Sequence, residues 1–174
     1  MSLCNMKIKI LLLVFALLIV MPLHAQSRKE LKKQKAAEEF AETRSLVESG
    51  SFHFDAIRAF SSNGRTINLT SHTAIVKISN DSAQADLPFF GTSGSMAYGS
   101  ESGGIQFEGR MEEVKLTVNE EKRRINLIFS VKDGRDLYKC IFTITGKSSS
   151  SLGITSNLRS SMSYDGSISM LKED

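Results

Sequence analysis

A catalytic or metal centre in this chain would have to be assembled from three histidines, two cysteines and the acidic residues. His24 lies in the leader described below, and His53 and His72 have neither the i,i+4 spacing nor any other spacing of a recognised ligand set. Gly91-Thr92-Ser93-Gly94-Ser95 approaches a nucleophile motif. Its second glycine falls one place early for G-x-S-x-G, and no strand-to-helix context surrounds it. Glu112-Glu113 and Glu120-Glu121 are adjacent pairs. Neighbours on a strand point to opposite faces, so neither pair is a ready acid/base dyad. Gly103-Gly104 has no phosphate-loop context. Cys140 sits in Leu137-Tyr138-Lys139-Cys140-Ile141-Phe142-Thr143-Ile144, which reads as buried strand, and is expected to act as a small core hydrophobe. These residues assign no catalytic group, no metal and no cofactor.

Binding chemistry is expected instead in the stretch Asp86 to Phe107. It opens Leu87-Pro88-Phe89-Phe90-Gly91, continues as small residues from Thr92 to Gly104, and closes on Ile105-Gln106-Phe107. The alternation that runs on either side stops here. Pro88 fixes φ and removes a donor, which suits a strand edge or a bend. A connection of this length without regular elements is longer than most hairpin loops. Phe89, Phe90, Met96 and Tyr98 are therefore the candidate ligand-binding residues. The competing reading makes one phenylalanine core and the other a barrel plug, with the glycines forming a long hairpin.

The elements that must position this stretch follow a leader. Lys7 and Lys9 precede an apolar run from Ile10 to Met21, and Leu23-His24-Ala25 supplies a small residue for cleavage. Residues 1–25 are expected to be a signal peptide and Gln26 the mature N-terminus, with no transmembrane anchor after cleavage. Cys4 precedes the apolar run, so the lipoprotein acylation site is absent. The destination is the periplasm or the exterior. The chain has 22 Lys+Arg and 19 Asp+Glu; the leader takes two lysines and no acid, leaving 20 against 19, net +1. Such a balance does not point to nucleic acid. Only Cys140 survives cleavage, so an internal disulfide is excluded.

Ser27 to Ser49 reads as a helix, with Ser27 and Glu30 as a capping box and Gly50 as its stop. Its first half is basic and is expected to be solvated. Ala37, Phe40, Ala41, Leu46 and Val47 form the docking stripe. From residue 51 the period becomes two. Phe52, Phe54 and Ala56 alternate, Asn63-Gly64 marks a hairpin, and Ala74, Val76 and Ile78 follow. After a turn at Asn80-Asp81, a strand is expected from about Ser82 to Phe89. Val114, Leu116 and Val118 precede a charged turn at Asn119–Arg123, and Ile125, Leu127, Phe129 and Val131 alternate most cleanly. Asp133-Gly134 marks the next hairpin, Gly146–Ser151 a polar turn, and Asp165-Gly166 a further one. One face of the strand Tyr138–Thr145 is expected to be covered by the helix.

The pattern predicts an all-β fold: an antiparallel barrel or sandwich of about 8–10 strands preceded by one N-terminal α-helix. The division is 1–25 signal peptide, 26–50 helix and linker, and 51–174 a single β domain. With no Trp and aromatics at 7%, a large aromatic ligand platform is not expected.

Several motifs occur in an order that resembles an exported Bacteroidetes family, domain of unknown function number 4251. They are Ser49-Gly50-Ser51-Phe52, Leu87-Pro88-Phe89-Phe90-Gly91, Gly103-Gly104-Ile105-Gln106-Phe107, Asn157-Leu158-Arg159 and Ser163-Tyr164-Asp165-Gly166. The resemblance implies an exported β-rich domain without an assigned activity. That family's proline motif usually carries Tyr where this chain has Phe90, so the resemblance implies no required hydroxyl there. The function expected first is a non-enzymatic envelope protein with a lipocalin-like barrel mouth for a small apolar or amphipathic ligand. Second comes a module docking a partner through the 92–104 loop or an edge strand, and an enzyme is placed last.

Protein recovered from the envelope fraction should begin at Gln26 by intact mass and N-terminal sequencing. A membrane-embedded chain still starting at Met1 would contradict the leader assignment.

Overall fold

The computed structural model describes residues 28–69, 73–91 and 104–171. The capping box at Ser27 and the leader lie outside them. Helix α1 covers residues 28–48, a run without Pro or Gly. The chain divides after Glu38, and the helix from Glu39 onward belongs to the same unit as the strands. Phe40, Leu46 and Val47 join the core, as expected, whereas Ala37 and Ala41 are exposed. The buried residue that the stripe missed is Thr43, whose Oγ1 donates back to the Glu39 carbonyl at 2.7 Å. That local bond satisfies the hydroxyl and lets it face the core. Gly50 ends the helix at φ 67°. Its N–H reaches the Val47 carbonyl at 3.1 Å and its own carbonyl accepts from Asn80 N–H at 2.8 Å, so the helix stop is also tied to a turn of the barrel.

Nine strands follow: β1 (Ser51–Ser61), β2 (Thr66–Asn68), β3 (Ile75–Ser79), β4 (Ser82–Leu87), β5 (Ile105–Asn119), β6 (Arg124–Asp133), β7 (Asp136–Gly146), β8 (Ser149–Ser156) and β9 (Met162–Met170). All neighbours are antiparallel, in the order β2-β1-β3-β4-β5-β6-β7-β8-β9, and β1 also pairs with β9. That last pairing closes eight strands into a barrel, with β2 as the extra strand. β2 and β3 share one edge of β1: Arg58–Phe60 face β2 and Ser51–Asp55 face β3. Ala56 N–H then bonds the Ala74 carbonyl, and Leu69 N–H the Ile57 carbonyl, each at 2.8 Å. The return strand is thus one ladder, interrupted between Leu69 and Ala74.

Eight strands leave an interior that side chains fill. Phe52, Phe54, Phe129, Phe142 and Tyr164 are all fully buried. Phe142 is the hub: its ring lies 5.4 Å from Phe54 and 6.1 Å from Phe52, both edge-on, and 6.2 Å from Phe129. These spacings suit the aromatic quadrupole and add about 0.5–1.5 kcal/mol per pair beyond area burial. Ile125, Leu127, Phe129 and Val131 face inward together, as their alternation requires.

Four local expectations are corrected. Asp165-Gly166 is not a turn but lies within β9, where Gly166 opposes Ala56. The register slips by one residue there, so Ile57 bulges out and is exposed. Gly146–Ser151 is mostly strand: β8 starts at Ser149, and buried Ser150 satisfies its hydroxyl on the Gly146 carbonyl at 3.0 Å. β4 stops at Leu87, before Phe89. The outer face of β7 is not covered by α1, since Leu137 and Ile141 are each 39% exposed. Ser130, an outward position by the alternation of β6, is buried as well; it stands beside the slip in the β5–β6 register that puts Glu113 at φ 53°.

A Cβ built at Gly166 would overlap the Asp55 carbonyl oxygen and stand 2.9 Å from Phe54 Cε2. At Gly153 the nearest obstacle is the Ile141 carbonyl, at an ordinary 3.9 Å. Gly166→Ala should therefore cost about 3 kcal/mol, the upper part of the overpacking range. Gly153→Ala should be neutral or stabilising by up to about 1 kcal/mol through the unfolded chain. Denaturant melts of the two variants check this contrast.

Candidate functional site

Because the strands alternate in direction, the turns sort to two ends. The helix stop and the β3–β4, β5–β6 and β7–β8 turns share one end. There Glu42 pairs with Lys147 at 2.8 Å and Arg44 with Glu120. The other end, the mouth, gathers the end of β4, the start of β5, the β6–β7 turn and the β8–β9 connection. The Asp86–Phe107 stretch therefore opens at the mouth.

Of the four candidate residues, Phe89 and Phe90 are half-buried and pack against the core. Met96 and Tyr98 lie outside the described residues. The two stems of the stretch are held from the far side of the barrel. The Tyr164 hydroxyl on β9 donates to the Pro88 carbonyl at 2.9 Å, and Arg159 Nη1 donates to the Gly104 carbonyl. The Arg159 guanidinium also sits 5.4 Å from the centroid of the Phe89 ring, within cation–π range. A Cβ at Gly104 would come 2.7 Å from the Leu87 carbonyl oxygen, so the stems converge only because this residue is glycine.

Arg159 is placed by a second layer. Buried Asp136, at the start of β7, accepts from Leu137 N–H at 2.9 Å, Asn157 N–H at 3.0 Å and Ser156 Oγ at 2.6 Å. Ser156 Oγ in turn accepts the backbone N–H groups of Leu158 at 3.1 Å and Arg159 at 3.2 Å. The carboxylate is satisfied locally and fixes the connection that carries the arginine. Beside it, Tyr138 stacks on Phe107 at 4.9 Å. Burial foremost, then the Asp136 charge, pushes the Tyr138 hydroxyl up to about 12, with the Arg159 charge opposing. Burial likewise raises Tyr164, again against Arg159.

Sequence reasoning brought Phe89 and Phe90 to the mouth but missed Arg159, Asp136, Tyr138 and Tyr164 as site residues. The one sequence signal was for Arg159 and Tyr164, which fall in the motifs Asn157-Leu158-Arg159 and Ser163-Tyr164-Asp165-Gly166.

Elsewhere the chemistry is poor. His53 on β1 meets Ser169 Oγ at 2.8 Å and Asp55 Oδ2 at 2.9 Å, a trio that resembles a nucleophilic triad by composition. Both partners use the same ring nitrogen, Nε2, whereas a relay needs the acid on one nitrogen and the serine on the other. His72 lies outside the described residues. Among the described residues no three His, Cys, Asp or Glu side chains cluster to hold a metal, and no helix is long and apolar enough to cross a membrane. Cys140 is fully buried, and burial pushes its thiol up, away from the reactive thiolate.

Two grooves of about 400 and 410 Å³ are lined mainly by outward-facing residues of the wall, one beside Ile57, Thr145 and Asp165, the other beside Lys77, Gln84 and Arg110. Neither is lined by Phe89 or Phe90. In the first, Thr145 Oγ1 is spent on Ser149, Ser150 Oγ on Gly146 and Arg58 on Asp165. Its polar groups answer one another instead of converging on an open space.

The raised tyrosines make an alkaline prediction. A neutral hydroxyl favoured in the folded state contributes stability that is complete below its unfolded value of about 10 and is lost as the pH rises towards about 12. The Tm should fall through that window. Tyr138→Phe should flatten the fall without abolishing it, because Tyr164 is raised too. Superimposable profiles would contradict the placement of Tyr138.

The comparisons with other proteins agree on this architecture. No curated protein matches the chain. A crystal structure of a DUF4251 family protein from Bacteroides eggerthii DSM 20697 superposes with a TM-score of 0.59 at 20% identity, covering 77% of this chain and 89% of that one. At that identity the likeness speaks for the fold alone. The family profile described as "Domain of unknown function (DUF4251)" matches residues 34–168, which takes in the second half of α1, the barrel up to Ile168 of β9 and every mouth residue described above. The chain belongs to the DUF4251 family.

Proposed function

We propose that this chain is an exported, non-enzymatic binding protein of the periplasm or exterior. Its barrel mouth takes a small apolar or amphipathic ligand across Phe89 and Phe90. The observation that carries this reading is the mouth itself: two half-buried phenylalanines beside a cation whose position two layers of hydrogen bonds define. Ligand sites combine such apolar surface with a few placed polar groups. The aromatic cluster around Phe142 occupies the barrel centre, so the ligand lies across the mouth and not in a deep lipocalin-like pocket. The leader supports export, and the shared nitrogen of His53 supports a non-catalytic role.

One observation favours the docking alternative. β4 pairs with β5 only as far as Arg110, so beyond Met111 the other edge of β5 has no strand partner among the described residues. Val114 and Leu116 on that length are 52% and 41% exposed. Such an edge can accept a strand from a partner.

Titration of the mature protein with an uncharged naphthylamine dye separates the two. The mouth reading expects saturable one-to-one binding, weakened about tenfold (~1.4 kcal/mol) by Phe90→Ala with little change in Tm. Absence of saturable binding, or a Phe90→Ala variant that binds like the parent, would overturn it and leave the β5 edge as the surface to pursue.

A further inference from the structure

We propose that Arg159 is the anion reader of this mouth, and that the ligand is an amphiphile whose polar end is a carboxylate. The inference rests on the binding reading above and adds the chemical class.

Three observations on Arg159 lead there. First, its orientation is fixed. Its backbone N–H is held by Ser156, Ser156 by buried Asp136, and its Nη1 by the Gly104 carbonyl. A long cation normally samples many rotamers; this one is fixed before any ligand arrives, which lowers the entropic cost of binding. Second, its charge is unanswered among the described residues. Among the described residues no carboxylate lies within 4.0 Å of the guanidinium, and Arg44, Arg58 and Arg110 show how readily this chain forms such pairs elsewhere. The nearby acid, Asp136, already accepts three hydrogen bonds from Leu137, Ser156 and Asn157. The Arg159 charge is felt at both Tyr138 and Tyr164, so it stands near both hydroxyls. Third, its remaining edge has the right shape. With Nη1 occupied, Nε and Nη2 present two parallel N–H groups, and no described residue accepts from either. That fork matches the two oxygens of one carboxylate.

The apolar part of the ligand has a surface beside this fork. Phe89 lies under the guanidinium, Phe90 follows it, and Leu158 next to Arg159 is 41% exposed. Charge at one point and apolar surface beside it select a chain with a carboxylate head over a wholly apolar molecule. The mature net charge of +1 supplies no general attraction for anions, so selectivity has to come from this one side chain.

Displacement of the uncharged naphthylamine dye from the mature protein tests the inference. The competitors are dodecanoate below its micelle concentration, methyl dodecanoate, and anionic phospholipid vesicles. Dodecanoate is expected to compete at least about tenfold more tightly than its methyl ester, and Arg159→Gln to erase that preference, the acid losing far more affinity than the ester. Arg159→Lys, which keeps the charge but not the fork, should fall between. Equal affinities for acid and ester in the parent protein would overturn the proposal while leaving the apolar mouth standing. So would a preference that survives Arg159→Gln. Competition by vesicles with none from monomeric dodecanoate would assign Arg159 to a membrane surface and overturn the free carboxylate. If neither the dye nor any competitor binds, the mouth reading fails as well. The parent acid-against-ester comparison decides the matter even where Arg159→Gln lowers the yield of folded protein.

Discussion

The pairing of the first strand with the last is the contact on which the rest of this barrel depends. β1 lies against β9 from Phe52–Met170 to Ser61–Met162, and its other edge serves β3 and then β2. Without this pairing, the sheet from β1 through β3 round to β9 would be open with two long edges, a template for further association. Closure needs a close approach at one point. Gly166 lies against the Asp55 carbonyl where Ile57 is squeezed out, so a side-chain-free residue and a bulge together turn the strand into register.

Closure also builds the mouth. Tyr164 and Pro88 are 76 residues apart, one on β9 and the other just past the end of β4, strands separated in the barrel by β1 and β3, yet the Tyr164 hydroxyl reaches the Pro88 carbonyl. Arg159 spans 55 residues to Gly104 in the same way. The stems of the Asp86–Phe107 stretch are therefore held by side chains that come within reach only once β9 has docked. Packing and site share one cause: the same pairing that seats Phe52 and Phe54 against Phe142 delivers Tyr164 and Arg159 to the opposite rim.

Where a property is local, the sequence carried it plainly. Asn63-Gly64 and Asp133-Gly134 are turns with both glycines at positive φ, and the alternation Ile125 to Val131 is a strand face. Asp165-Gly166 has the same turn-like composition but was misleading, because glycine serves close approach there, and that is settled by a strand more than a hundred residues away. Buried Ser130 is a similar case, since nothing in β6 itself announces the slip of β5 beside it. Thr43 was hidden by its polarity, which the Glu39 carbonyl neutralises. At the site, Phe89 and Phe90 were legible because they break the alternation. Arg159 and Asp136 were not, because their partners are set by topology and not by spacing. Met96 and Tyr98 lie outside the described residues.

The central claim is that recognition takes place at the mouth. Residue-resolved amide chemical shifts of the uniformly ¹⁵N-labelled protein, recorded while an envelope lipid extract is titrated in, test it without choosing a ligand beforehand. The account predicts shifts concentrated at Phe89, Phe90, Gly104 and Asn157–Arg159, with the outer wall unmoved. Shifts gathered instead around Ile57, Thr145 and Asp165, or along Val114 to Val118 of β5, would contradict it.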